Sequence, residues 1–221
     1  MTDRPILFSG PMIRALLEGR KTQTRRVFKG IEADGNGTFH VFNRRGGLIG
    51  VSEADVPTEA PDYVPYAAGD HLWVREAWRT PESLDDLSPR QIELRCKELG
   101  YHGPWCPRVT VADEVAHQWS EEDGFREDQP SGRLRAAMHM PRWASRLTLI
   151  VTDVRVQRLQ EITWQDARAE GISGGYHQSE FASLWDDLNA SRGFGWDANP
   201  WVVALTFEVI RQNIDAMGEA A

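Results

Sequence analysis

Apolar residues at Ile13, Leu16 and Leu17 recur at helical spacing and predict a short helix from about Pro11 to Glu18. Ser9 stands where a cap is wanted, Pro11 suits the first turn, and Gly19 is placed to end the helix. The period then changes. Residues 22–28 have strand character, and residues 30–68 are rich in Gly, Pro and acids, with one hairpin expected at Arg45-Gly46-Gly47. Gly69-Asp70 reads as a turn into a strand from His71 to Trp78, with Leu72, Val74 and Glu76 sharing one face. A long middle segment, residues 79–140, holds a charged helix near Pro89 to Leu99. Its polar stretch from Glu121 to Arg133 reads as a solvated insertion. The strongest strand signal is residues 147–156. A compact helix from Thr163 to Glu170 follows, opened by a Thr163-x-x-Asp166 capping box. A second helix from about Ser179 to Asn189 carries Phe181, Leu184, Trp185 and Leu188 at helical spacing, and Trp201 to Ile210 is the closing strand. With no internal repeat and no clear linker, the pattern predicts one α+β domain over residues 1–221. The expected form is a small curved sheet or barrel decorated by helices and an insertion.

Composition narrows the class. The 221 residues are 41% hydrophobic and 26% charged, ordinary globular proportions that argue against disorder or a fibrous repeat. No apolar run approaches the ~18 residues of a spanning helix, and Met1 to Pro5 has no basic region leading into an apolar core. A cytoplasmic setting without membrane contact is therefore expected. Cys96 and Cys106 do not make a zinc cage, and His40, His71, His102, His117, His139 and His177 are scattered, so neither metal nor other cofactor is expected. The net charge of −8 counts against a long polyanion as partner, because phosphate neutralisation supplies most non-specific affinity. Only Lys21, Lys29 and Lys97 are lysines, against 22 arginines.

The densest chemistry lies in Gly19-Arg20-Lys21-Thr22-Gln23-Thr24-Arg25-Arg26. Strand alternation places Thr22, Thr24 and Arg26 on one face, with Lys21 at the turn before it. Arg20, Arg25 and Arg26 should lower the pKa of Lys21 and make a neutral amine accessible, which would activate a hydroxyl. Two other readings stand beside that one: an anion site, and a solvated basic edge strand whose charge guards against sheet-to-sheet pairing.

Gly19-x-Lys21-x-x-Thr24-x-Arg26 resembles the GxKxxTxR signature of the ASCH family, small β-barrel domains related to PUA domains. The opening helix, the Gly69-Asp70 strand, the Leu159–Gly171 helix and the Val202–Val209 strand fall in that family's order. They cover about half the chain, with residues 30–68 and 79–140 as insertions relative to the shortest members. Residues 5–9 and 140–146 look like the longer ASCH proteins of bacteria and their phages. The resemblance implies a PUA-like small β-barrel with flanking helices. It also implies the activity of the short ASCH enzymes, amidohydrolases that release the acetyl group of N(4)-acetylcytidine with a Lys, a Thr and a Glu.

Carried over by motif, the first two are Lys21 and Thr24. The Ala167-x-x-Glu170 step puts the third at Glu170, with Glu161, Asp166 and Glu76 as the alternative acids; Asp166 is better explained as a cap partner. Glu170 sits in the last turn of its helix, where the macrodipole disfavours a negative charge, a setting that suits a proton donor to a leaving amine. Arg26 is expected to orient the base or stabilise the oxyanion. Glu76, alone among large apolar neighbours, faces a cleft or pairs with Arg75 or Arg79. Arg142 and Trp143 offer a donor and a stacking plane to a nucleobase. The expected partner is a small modified nucleoside or nucleobase, with weak RNA contact at most. A non-catalytic RNA-binding module and a metal-independent ribonuclease are the competing readings.

Overall fold

The computed structural model describes residues 1–43, 45–99, 108–113, 115–117 and 131–218, so most of the expected polar insertion lies outside the described residues. In chain order the elements begin β1 (Asp3–Leu7), α1 (Gly10–Leu17), β2 (Gln23–Val27), β3 (Ile31–Ala33), β4 (Thr38–Phe42) and β5 (Leu48–Ser52). They continue through α2 (Val56–Glu59), β6 (His71–Arg75), β7 (Trp78–Arg79), α3 (Pro89–Glu98), β8 (Arg108–Thr110) and β9 (Val115–His117). The last are β10 (Thr148–Arg158), α4 (Trp164–Ala169), α5 (His177–Asn189) and β11 (Trp201–Ile210). The protein is mixed α+β. One sheet has the hydrogen-bonded order β1-β6-β10-β11-β2, and β3-β4-β5 and β7-β8-β9 make two smaller sheets. The five-strand order ends at β1 and β2 without closing, so the described strands form no closed barrel. Two compact units are distinguished. One contains residues 19–70 and 151–208 with Met1; the other contains 2–18, 71–150 and 209–221.

In the second unit α1 forms where its apolar spacing predicts and buries Ile13, Ala15 and Leu16. Ser9 occupies the cap position, but its side chain makes no capping bond; Pro11 and the backbone alone open the helix. β6 is paired parallel with β1 and antiparallel with the start of β10. It stops at Arg75, not at Trp78 as the pattern predicts. The chain changes sheets at Glu76-Ala77, and Trp78 pairs instead with Thr110 of β8. Trp78 then joins Leu84, Ile92, Cys96, Met140, Trp143 and Ala144 in an apolar core. α3 carries the capping box its sequence allows, between Ser88 and Gln91.

In the first unit β2 lies antiparallel to β11, with Thr24 opposite Leu205 and Arg26 opposite Val203. The expected hairpin joins β4 and β5. Asn43 Oδ1 accepts from the N–H groups of Arg45 and Gly47 and so tightens the turn. The core is Leu159, Ile162, Ala167, Phe181, Trp185 and Val202. α5 begins two residues earlier than predicted, and Leu188, placed by spacing on its apolar stripe, is 51% exposed. That stripe is narrow: Phe181, Trp185 and Asn189 are the buried positions, one every fourth residue.

α4 is only six residues long and depends on its cap. Thr163 Oγ1 accepts from the Asp166 N–H at 3.1 Å, and the Thr163 N–H donates to Asp166 Oδ2 at 3.3 Å. Thr163→Ala removes half of this box and is expected to cost about 1 kcal/mol of stability. A lower urea midpoint with unchanged slope would register it.

Candidate active site

The end of α4 fixes the site. A helix leaves its last carbonyls without intrahelical partners, and the segment before β2 supplies donors for them. Arg20 Nη1 donates to Gly171 O at 2.7 Å, Lys21 Nζ to Glu170 O at 2.9 Å, and the Thr22 N–H to Ala169 O at 2.8 Å. The main chain of Lys21 also forms an isolated antiparallel bridge with that of Glu170. Gly171 turns the chain away with a φ of 96°, a conformation that suits glycine at a helix end. Two segments 149 positions apart are thus joined through the backbone of α4's end, by one main-chain donor and two side-chain donors.

The side chains then converge. Lys21 Nζ lies 2.7 Å from Glu170 Oε2, and Arg25 Nη1 lies 3.1 Å from Glu170 Oε1. The other Arg25 nitrogen, Nη2, lies 3.2 Å from Asp166 Oδ2, and Asp166 Oδ1 is 3.2 Å from Arg155 Nη2. Lys21 is fully buried, Arg25 is 3% exposed and Glu170 6%. The expected solvated edge strand is therefore only half right: β2 is an edge in strand order, but Arg25 on it and Lys21 just before it are buried. Thr22, expected to share a face with Thr24, precedes the strand and is exposed, whereas Thr24 is 1% exposed. Thr24 and Arg26 do share a face. Arg26 Nη1 donates to Thr24 Oγ1 at 2.8 Å and to Arg25 O at 3.0 Å. Because the hydroxyl oxygen accepts from a cation, its own proton remains available to a base, and an alkoxide formed there is stabilised.

Electrostatics follow from this geometry. Burial holds Lys21 below the usual lysine range; Glu170 opposes that shift, and the Arg26 and Arg25 guanidinium groups add to it. Arg20, also expected to contribute, is instead engaged with the Gly171 carbonyl. Burial disfavours the Asp166 charge, but the Thr163 N–H, Arg25 and Arg155 outweigh it and set its carboxyl below the usual range. Stability contributed by Asp166 is thus present above the unfolded carboxylate range and is lost as pH falls through the lower folded value.

Lys21, Thr24, Arg26 and Glu170 all belong to the first unit, with Lys21 on Glu170 and Arg26 on Thr24. Glu76, Arg142 and Trp143 belong to the second unit and have partners there. Glu76, 2% exposed, is gripped by both ends of Arg146 at 2.8 and 3.0 Å, not by Arg75 or Arg79. Arg146 also reaches Asp113 at 2.7 Å. Arg142 is held at 2.7 Å by both Asp3 and Asp215. Trp143 is 7% exposed, and its ring meets Trp78 edge-on at 5.7 Å, so it serves as core. Glu161 is a local partner of the Arg158 N–H, at 3.1 Å.

Sequence reasoning gave Arg25 an effect on Lys21 but missed its grip on Glu170 and Asp166, and it passed over Tyr66, which is half-buried and interacts electrostatically with Arg26. The odd-numbered run Lys21, Gln23, Arg25 was the available signal for Arg25: Arg25 Nη1 also lies 3.3 Å from Gln23 Oε1. Among the described residues no group of three or more His, Cys, Asp or Glu is placed to hold a metal, and no helix is long and apolar enough to cross a membrane.

Comparison with known proteins adds little. No family model matches the chain, and no curated protein matches it. Among solved structures, protein EF3133 from Enterococcus faecalis V583, described with the DUF984 family, aligns over 97% of this chain and 83% of its own, at 11% identity and a TM-score of 0.41. A likeness at that level assigns no function.

Proposed function

We propose that this protein is an amidohydrolase of the ASCH, PUA-like type that deacylates N(4)-acylated cytosine in a small nucleoside or nucleobase. The observation that carries the reading is the buried 2.7 Å contact between Lys21 Nζ and Glu170 Oε2, together with the buried Thr24 hydroxyl that Arg26 holds three positions along the same segment. These are the three residues that the signature and its helix supply, and a buried base, acid and nucleophile are what amide cleavage needs.

A proton crossing the short contact turns the ammonium–carboxylate pair into a neutral amine and a carboxylic acid. Lys21 then takes the Thr24 proton as Oγ1 attacks the acyl carbon. Arg26 stabilises the oxygen of Thr24, and Glu170 gives its proton to the exocyclic nitrogen as the C–N bond breaks. Free cytidine leaves, and the acyl group remains as an ester on Thr24. Water attacks that ester, giving its proton to the Glu170 carboxylate. Thr24 departs with the proton held on Lys21, and the carboxylic acid product leaves. The site returns to its starting protonation.

The pair works while it holds one proton between its two groups. The rate therefore rises as the doubly protonated pair loses its first proton and falls as the pair loses its second. Because burial lowers Lys21, the alkaline limb is expected below the ordinary lysine value of about 10.4; a limb at or above that value contradicts the scheme. The direct test is release of cytidine from N(4)-acetylcytidine by the intact protein beside Lys21→Ala, Thr24→Ala and Glu170→Ala. No turnover by the intact protein, with salt-sensitive RNA binding instead, would establish the RNA-binding reading.

A further inference from the structure

We propose that Arg25 is a positioning residue for the Lys21–Glu170 pair. One guanidinium nitrogen holds Glu170 Oε1 and leaves Oε2 to Lys21, while the other is anchored on Asp166. As a role in catalysis this rests on the amidohydrolase reading; as a clamp on the pair it stands on geometry alone.

The arrangement is specific to arginine. Its planar fork offers two nitrogens at a fixed separation, and here they meet two carboxylates that leave α4 one turn apart, Asp166 and Glu170. Asp166 is itself fixed from three sides, by the Thr163 cap, by Arg155 and by Arg25. The Arg25 guanidinium also lies 5.9 Å from the Phe181 ring centroid, which ties the clamp to the core of the first unit. Arg25 Nε and Nη2 are both buried without a hydrogen-bond partner, and Nη2 meets Asp166 as an ion pair at 3.2 Å. A residue serving stability alone gains little from burying a cation with two nitrogens lacking hydrogen bonds, because apolar side chains often fill such sites as well. A carboxylate held by one fixed cation on one oxygen has only its other oxygen to offer. That restriction aims the Glu170 proton at Lys21 and at a leaving nitrogen.

The charged and titratable groups facing Lys21 are Glu170 from the end of α4 and Arg25 and Arg26 from β2. Behind them stand Asp166, Arg155 and Tyr66. Removing the Arg25 cation takes away repulsion on a Lys21 ammonium and frees Glu170 to pair with it, so both effects favour the charged lysine. Arg25→Met keeps the apolar volume and leaves Glu170 with Lys21 and Asp166 with Arg155, so the variant is expected to fold; Arg25→Lys keeps the charge but not the fork.

The experiment uses the full chain with ¹³Cε-labelled lysine. The protein has three lysines, of which Lys29 and Lys97 are exposed, so the buried Lys21 resonance stands apart. Its titration midpoint is followed by NMR without substrate in the intact protein, Arg25→Met and Arg25→Lys. Circular dichroism confirms the fold, and kcat and KM are measured on N(4)-acetylcytidine. Expected are a Lys21 midpoint higher by about one pH unit or more in Arg25→Met, and one displaced by less than half that in Arg25→Lys. kcat falls at least about tenfold in Arg25→Met with KM little changed, and Arg25→Lys recovers part of it. An unchanged Lys21 midpoint in folded Arg25→Met overturns the proposal, as does an equal displacement in both variants. If the intact protein has no turnover at all, the amidohydrolase reading fails while the titration still decides the clamp.

Discussion

Lys21→Met yields a folded protein that cleaves N(4)-acetylcytidine at least about a hundredfold more slowly than the intact one, the scale of a lost general base. The two halves of that expectation have separate causes. The methionine side chain follows the path of the lysine stem, and Glu170 keeps its contact with Arg25 at 3.1 Å, so no carboxylate is left alone in the interior. What stability is lost comes from the two bonds that Nζ gives to Glu170, to its carbonyl and to Oε2, about 1–3 kcal/mol in all. Catalysis has no such reserve, because the side chain that holds Thr24 Oγ1 is the Arg26 guanidinium, which does not take up a proton. Steady-state kinetics and a urea titration on the same preparation check both halves. A variant within threefold of the intact kcat shows that Lys21 is a structural cap for α4 and no more.

Glu170→Ala has the opposite profile, with a loss of stability expected at about 3–5 kcal/mol. Lys21 and Arg25 both place a nitrogen within 3.1 Å of its carboxylate, and both are essentially buried; removing it leaves two cations facing each other out of reach of water. Glu170→Gln retains acceptor and shape and is expected to lose less, about 1–3 kcal/mol. The sign of the pH dependence separates this from a packing defect. A buried lysine without its partner binds its proton less tightly than in the unfolded chain. Between those two values the unfolded state holds more protons, and stability rises with pH. The Glu170→Ala deficit therefore shrinks as pH climbs toward the Lys21 value of the intact protein, itself below the ordinary lysine range of about 10.4. A deficit independent of pH between neutrality and that range would mean that Lys21 adapts by reaching solvent.

What could be read from the chain in advance was what is decided by near neighbours. The Thr163–Asp166 box, the hairpin at Arg45-Gly46-Gly47 and the closing strand from Trp201 each depend on residues within a few positions, and each is found. The apolar spacing of α1 located its buried face but not its cap, because Ser9 has the right residue type without making the bond. Glu76 illustrates the limit of a two-residue period: alternation put it on the face of Leu72 and Val74, but the chain leaves that sheet after Arg75. The carboxylate's partner, Arg146, is 70 positions away. Trp143 shows the same limit, since an aromatic beside an arginine reads alike whether it stacks on a ligand or on Trp78.

In the site, Lys21, Thr24 and Arg26 stood out because their motif is contiguous. Glu170 was reached through the order of landmarks, since no local pattern ties it to Lys21 across 149 positions. Arg25 lay in plain view within the basic run, hidden by the absence of any sequence rule for which cation a distant carboxylate will face.

The most direct measurement is mass spectrometry of the peptide carrying Thr24, from protein acid-quenched during turnover of N(4)-acetylcytidine. One acetyl group on Thr24 in the intact protein, absent from Thr24→Ala together with cytidine release, is the expected result. Undiminished cytidine release by Thr24→Ala would show that the hydroxyl held by Arg26 is not the nucleophile and that the chemistry lies elsewhere.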